Sequence, residues 1–144
     1  MPALAELLPH KPPMRLVDAI TSIDGGAIVC RATITEDTPF VAGGEVSNLL
    51  ALELFAQTAA TLCAARAYGR GQAMRVGVLL GVRELTLEAP TLAVGDVLEV
   101  DVRERWSDAR VGNFRCQLRR DGVVLASGAI NVQSGAPEQQ EERA

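Results

Sequence analysis

At 144 residues and 48% hydrophobic content, the chain is long enough for one compact domain whose core needs no disulfide staple. A formal net charge of -4 and a pI near 5.0 leave none of the basic excess that neutralises phosphates, so nucleic acid is excluded as the expected partner. Cys30, Cys63 and Cys116 are odd in number, far apart and set among apolar neighbours, unlike a disulfide framework or a metal-ligand cluster, and read as reduced core thiols of a cytoplasmic protein.

Met1 to Glu6 lack the basic stretch and long apolar run of a secretion signal, and no later segment offers about 18 uninterrupted apolar residues. Neither export nor membrane spanning is expected. Next comes Pro9-His10-Lys11-Pro12-Pro13, in which proline rings fix φ at three positions and stiffen the segment around the only histidine. An imidazole titrating near neutrality on a pre-ordered segment suits a general base, and a surface histidine in an N-terminal loop fits the same local pattern.

Residues 15–23 and 27–35 flank Asp24-Gly25-Gly26 and are predicted as a hairpin. From Ser47-Asn48 onward the chain runs without Gly or Pro to Gly69, which predicts one long helix opening on good capping residues. Its apolar residues cover nearly all faces, so it should be buried on most sides. Residues 76–88 read as a long strand ending near Pro90. Further on, Leu98, Val100 and Val102 alternate with Glu99, Asp101 and Arg103, and Phe114, Cys116 and Leu118 alternate with Arg115, Gln117 and Arg119, the mark of half-buried antiparallel strands. Asp121-Gly122 predicts a tight turn into a last strand over 123–132, and the polar tail from 134 to 144 is expected to be disordered, leaving 1–133 as the domain. The order of two strands, a helix and four strands predicts an α+β domain, a curled antiparallel sheet of about six strands around one long central helix, which is the hot-dog arrangement.

Inside that apolar helix stands Glu53, where burial disfavours the charged form and makes a carboxylic acid a proton donor. A structural carboxylate paired with a buried cation is the other reading. Gln57, four residues on and on the same face, can hold the carboxyl group or a water beside it, or serve as a core amide bonded to backbone. The first turn, from about Asn48 through Leu49 to Leu50, offers free N–H groups that favour developing negative charge, as an oxyanion site does, although ordinary capping needs no more than this. Arg103, Arg105, Arg110, Arg115, Arg119 and Arg120 gather on the C-terminal hairpin, where they suit either a solvated strand face or an acidic carrier protein or cofactor phosphate. The chain has no phosphate loop, no Gly-x-Ser-x-Gly elbow and no metal-spaced His/Cys set, so metal and serine-triad chemistry are not expected.

Leu7-Leu8-Pro9-His10-Lys11-Pro12-Pro13-Met14-Arg15-Leu16-Val17-Asp18 resembles the N-terminal histidine motif of the 3-hydroxyacyl-acyl-carrier-protein dehydratases of the hot-dog superfamily. Leu49-Leu50-Ala51-Leu52-Glu53-Leu54-Phe55-Ala56-Gln57-Thr58-Ala59 is similar to their central-helix motif, with Glu53 at the acid and Gln57 four residues later. Leu79-Leu80-Gly81-Val82-Arg83-Glu84-Leu85 and Val94-Gly95-Asp96-Val97-Leu98 resemble a strand, its return turn and the next strand. The family's His-Phe-Pro-Gly and Met-Pro-Gly signatures are replaced by Val41-Ala42-Gly43-Gly44-Glu45-Val46-Ser47-Asn48, with Asn48 at the place of an oxyanion-site Gly. In this the chain resembles the divergent relatives found in aryl-polyene pigment clusters.

The resemblance implies dehydration of a 3-hydroxyacyl thioester, carried on acyl carrier protein or coenzyme A, to the trans-2-enoyl thioester. His10 is the implied base and Glu53 the implied acid, with Asn48, Leu49 and Gln57 around the substrate. It implies no metal and no cofactor, because the thioester itself activates the carbon. It also implies a homodimer at least, with the histidine of one chain meeting the acid of the other. A hot-dog thioesterase and a non-catalytic acyl-carrier-binding subunit are the alternatives.

Overall fold

The computed structural model describes residue 4, residues 14–71 and residues 78–133. In these residues the chain runs β1 (Ala19–Ile23), β2 (Ala27–Thr33), β3 (Glu45–Ser47), α1 (Leu50–Gly69), β4 (Val78–Leu87), β5 (Thr91–Ala93), β6 (Val97–Ser107), β7 (Val111–Arg120) and β8 (Val123–Gln133). Six strands form one antiparallel sheet in the order β1-β2-β6-β7-β8-β4, and β3 pairs with β5 in a two-stranded ribbon. The expected two strands, helix and four strands are the main sheet and its helix. The ribbon went unpredicted because strands of three residues are too short for alternation to register.

Alternation places the faces as expected except at Asp101, which is buried and accepts a bond from Arg119 at 3.1 Å. Leu98, Val100 and Val102 of β6 and Phe114, Cys116 and Leu118 of β7 are buried, while Glu99, Arg103, Arg115 and Gln117 are exposed. Asp121 and Gly122 take φ of 51° and 80°, the left-handed pair that joins β7 to β8 with the sheet's own twist. Gly128 is required for another reason: a Cβ there would stand 2.4 Å from the Glu84 carbonyl oxygen, so β4 lies this close to β8 only because the side chain is absent.

Sheet residues from β2, β4, β6, β7 and β8 contact α1, and eleven of its residues are buried, as the all-round apolar pattern requires. Leu54, Phe55 and Leu62 are fully buried, each a contribution of about 1.5–3 kcal/mol relative to exposure. At the far end Arg66 donates to Glu104 at 2.7 Å and to the Gly25 carbonyl at 3.0 Å, joining the helix to β6 and to the β1–β2 turn.

Two boundaries differ from expectation. The first strand begins at Ala19, not residue 15, because the Leu16 N–H is taken by a helix side chain and not by a neighbouring strand. The helix begins at Leu50, since Ser47 belongs to β3 and the Asn48 N–H bonds the Pro90 carbonyl at 3.0 Å. His10 and the tail at 134–144 lie outside the described residues. No described helix is long and apolar enough to cross a membrane.

Candidate active site

Gln57 organises the helix's first turns. Its side chain is 1% exposed, yet all its bonding capacity toward the open side is used: Nε2 donates to the Met14 carbonyl at 2.8 Å and to Glu53 Oε2 at 2.9 Å, while Oε1 accepts the Leu16 N–H at 2.8 Å. One acceptor and two donors fix which end of the amide is oxygen. The two readings of Gln57 are thus both met, because the same amide holds the carboxylate and anchors main chain. Residues 14–16, which continue directly from the histidine segment, are tied to the helix beside Glu53.

Glu53 was expected to be buried and is exposed. The sheet covers the helix's other faces but leaves a stripe of Leu49, Leu52, Glu53 and Ala56, one to two turns long, outside its curl. The carboxylate therefore opens into a groove of about 490 Å³ whose walls include Met14, Pro39, Phe40, Leu49 and Leu79. Except for this carboxylate the groove is largely apolar. Leu16 and Leu50 divide it from a second cavity of about 590 Å³ with polar walls from Arg15, Asp18, Thr35 and Asp37. Since Gln57 holds the Leu16 amide, it also sets one side of that partition.

Asn48 has a different task from the one expected. It is fully buried, and both its amide hydrogens are committed, to the carbonyls of Ala89 at 2.8 Å and Leu125 at 2.9 Å. It clamps the helix start to β8 and to the chain before β5, and so is no donor for a ligand oxygen. Its Oδ1 is buried without a partner among the described residues. The Leu49 N–H is also taken, by Ser47 Oγ at 3.2 Å. Of the three amides expected to be free, only the Leu50 N–H has no partner among the described residues.

Phe40 was missed. It has φ of 70°, one of two non-glycine residues with positive φ among those described, and its side chain is 86% exposed at the groove. For a bulky residue this conformation costs about 1–2 kcal/mol, and no burial within the chain offsets it. The only signal in the sequence was an aromatic residue in a Pro-Phe pair shortly before Gly43-Gly44.

The arginines follow the solvated-face reading. Arg103 and Arg119 bond Asp101 at 3.2 and 3.1 Å, Arg115 bonds Glu84 at 2.9 Å and Arg120 bonds Asp96 at 3.0 Å. Burial pushes the Cys30 thiol up to about 11 and the Cys116 thiol up to about 12, which keeps both as inert core groups. Among the described residues no group of His, Cys, Asp and Glu could hold a metal ion.

A sheet of this strand order curled around a single helix defines the hot-dog class, and solved structures agree. The dehydratase heterocomplex ApeI:P from Xenorhabdus doucetiae superposes with a TM-score of 0.90 at 24% identity, covering 99% of this chain and 97% of that one. Zebra fish thioesterase superfamily member 2 gives 0.61 at 16% identity, covering 81% and 80%. The chain belongs to the ApeP-like dehydratase family, whose profile, described as ApeP dehydratase, matches residues 2–142. Among curated proteins, the 3-hydroxyacyl-[acyl-carrier-protein] dehydratase FabZ of Allorhizobium ampelinum is 29% identical over 135 residues, 90% of this chain and 85% of its own. The FabZ of Herpetosiphon aurantiacus is 28% identical over 130 residues, 86% and 89% of the two chains.

Proposed function

We propose that this dehydratase removes water from a 3-hydroxyacyl group held as a thioester on an acyl carrier protein, giving the trans-2-enoyl thioester. The observation that carries the reading is Glu53, a carboxylate held at 2.9 Å by the buried amide of Gln57 and opening on an apolar groove. The carrier-linked substrate is that of the curated FabZ relatives.

His10 takes the proton from the carbon next to the thioester, and the electrons left there form the new double bond as the C–O bond to the hydroxyl breaks. Glu53, as the protonated carboxylic acid, supplies the proton with which that hydroxyl leaves as water. The Leu50 N–H, at the helix's positive end, is the amide that donates to the thioester oxygen as charge builds on it. With the thioester activating the carbon, the reaction runs without a cofactor. His10 of one chain meets Glu53 of the other, the arrangement the family resemblance implies.

A second hot-dog subunit, in the first instance another copy of this chain, completes the groove. The edge strand β4 leaves Leu79, Leu80, Val82 and Leu87 exposed, beside the uncovered stripe of α1. A long apolar edge of this kind supports pairing. The solution mass tests it: two copies support a homodimer, and a chain that pairs only with a different hot-dog subunit belongs in a heterocomplex, as the Xenorhabdus neighbour does. Free buried thiols suit a reducing compartment, the cytoplasm.

The assay offers a 3-hydroxyacyl-carrier thioester and follows enoyl formation and thiol release together. Enoyl product is expected, with Glu53→Gln and His10→Ala each lowering kcat by roughly 10²- to 10⁴-fold while the thermal midpoint holds. Free thiol in place of enoyl product would make the chain a thioesterase, and neither product would make it a binding subunit. Turnover retained in either variant removes that residue from its role.

A further inference from the structure

We infer that Phe40 determines the acyl-chain preference of the groove, its ring being the contact for the part of the chain that extends beyond the carbon losing the hydroxyl. This rests on the dehydratase reading of Glu53. Among the described residues Phe40 is the most exposed of the large apolar side chains, 86% accessible, and it is held there by backbone and not by packing.

The loop is built to present it. The Val41 N–H bonds the Thr38 carbonyl at 3.2 Å, and Ala42 and Glu45 exchange main-chain bonds at 2.9 and 3.2 Å around Gly43 and Gly44, both at positive φ. With Phe40 in the left-handed region between Pro39 and this closed turn, its ring stands outside the core. Strain retained with no return inside the chain marks a contact outside it. Of the possible contacts, the acyl chain is favoured because Phe40 and Glu53 line one groove, whose volume of about 490 Å³ is that of a small-molecule site. The remaining walls near the rim, Met14, Leu49 and Leu79, are aliphatic, so Phe40 alone among the named wall residues offers a flat face to a long or unsaturated acyl chain.

The experiment compares kcat/KM for a 3-hydroxydecanoyl and a 3-hydroxybutyryl carrier thioester in wild type, Phe40→Gly, Phe40→Tyr and Glu53→Gln, with the solution mass of each. The long-to-short ratio is expected to fall about tenfold in Phe40→Gly, the loss of ring contact with a few methylenes, and to hold in Phe40→Tyr. Phe40→Gly should also unfold no earlier than wild type, since glycine accepts the positive φ. A ratio within about twofold of wild type in Phe40→Gly, with Glu53→Gln inactive, overturns the role of Phe40 and leaves the dehydratase reading standing. A halved solution mass in Phe40→Gly makes the ring a subunit contact and overturns it as well. Full turnover in Glu53→Gln sinks the underlying assignment, and this one with it.

Discussion

The β6–β7–β8 meander and the groove at the start of α1 treat the same kinds of side chain in opposite ways. In the meander, Phe114, Cys116 and Leu118 are 1% exposed or less, and Arg103, Arg115, Arg119 and Arg120 find carboxylates within 3.2 Å, on β6, on β4 and in the turn before β6. At the groove, Phe40, Leu49, Leu79 and Leu80 face outward, the carboxylate of Glu53 meets an amide in place of a cation, and that amide is buried. The meander packs one face and pairs most of its outer charges within the sheet, and it contributes stability. The groove end leaves its apolar surface exposed around Glu53, the surface that the proposed substrate and second subunit would cover.

The sharpest way to break this contrast is from the meander side. Phe114→Ala removes a fully buried ring from the core and should cost about 3–5 kcal/mol by urea unfolding, with kcat per folded molecule unchanged. A cost below about 1 kcal/mol would mean that the meander is not the stability core. Gln57 is where the two regions meet. Gln57→Leu leaves the Leu16 N–H and the Met14 carbonyl without partners and frees the Glu53 carboxylate. We expect a loss of about 2 kcal/mol in stability and at least a tenfold fall in kcat, with KM moved less, because an untethered acid is misaimed more than it is unbound. A variant equally destabilised but undiminished in kcat would make Gln57 a structural tether alone.

The same contrast governs what was legible in the sequence. Long strands with a strict two-residue period declare their faces, and Asp121-Gly122 declares its turn, so the meander could be read residue by residue. The helix was equally plain, and its near-uniform apolarity correctly implied cover on most sides. That same uniformity concealed which side was open, and Glu53 was assigned to the interior because no periodic polar stripe marked the gap. The position of Gln57 at four residues from Glu53 predicted their contact, but nothing local could indicate that residues 14–16 cross to meet it, since a bond spanning 41 or 43 positions has no periodicity. Asn48 failed for the same reason. A capping residue before a helix is a sound local inference, and its partners at Ala89 and Leu125 are distant in the chain.

The smallest effect concerns the other end of the helix, where Arg66 bonds Glu104 at 2.7 Å, with both side chains about four-fifths buried. The Arg66 guanidinium holds the Glu104 carboxyl below its ordinary range, chiefly by hydrogen bonding. A carboxyl that ionises more readily folded than unfolded adds stability above its unfolded pKa, and that stability is lost as pH falls through the lower folded value. Wild type should therefore exceed Glu104→Gln by about 1 kcal/mol at neutral pH, and the difference should close as pH falls through the lowered folded value. Turnover should be the same in both at neutral pH, for this pair joins α1 to β6 and the β1–β2 turn, at the opposite end of the helix from Glu53. A difference that persists in acid would mean that the side chain's packing, not its charge, secures the joint. A change in kcat would mean that the stable region and the groove are coupled along the helix, so that the division between them is one of degree.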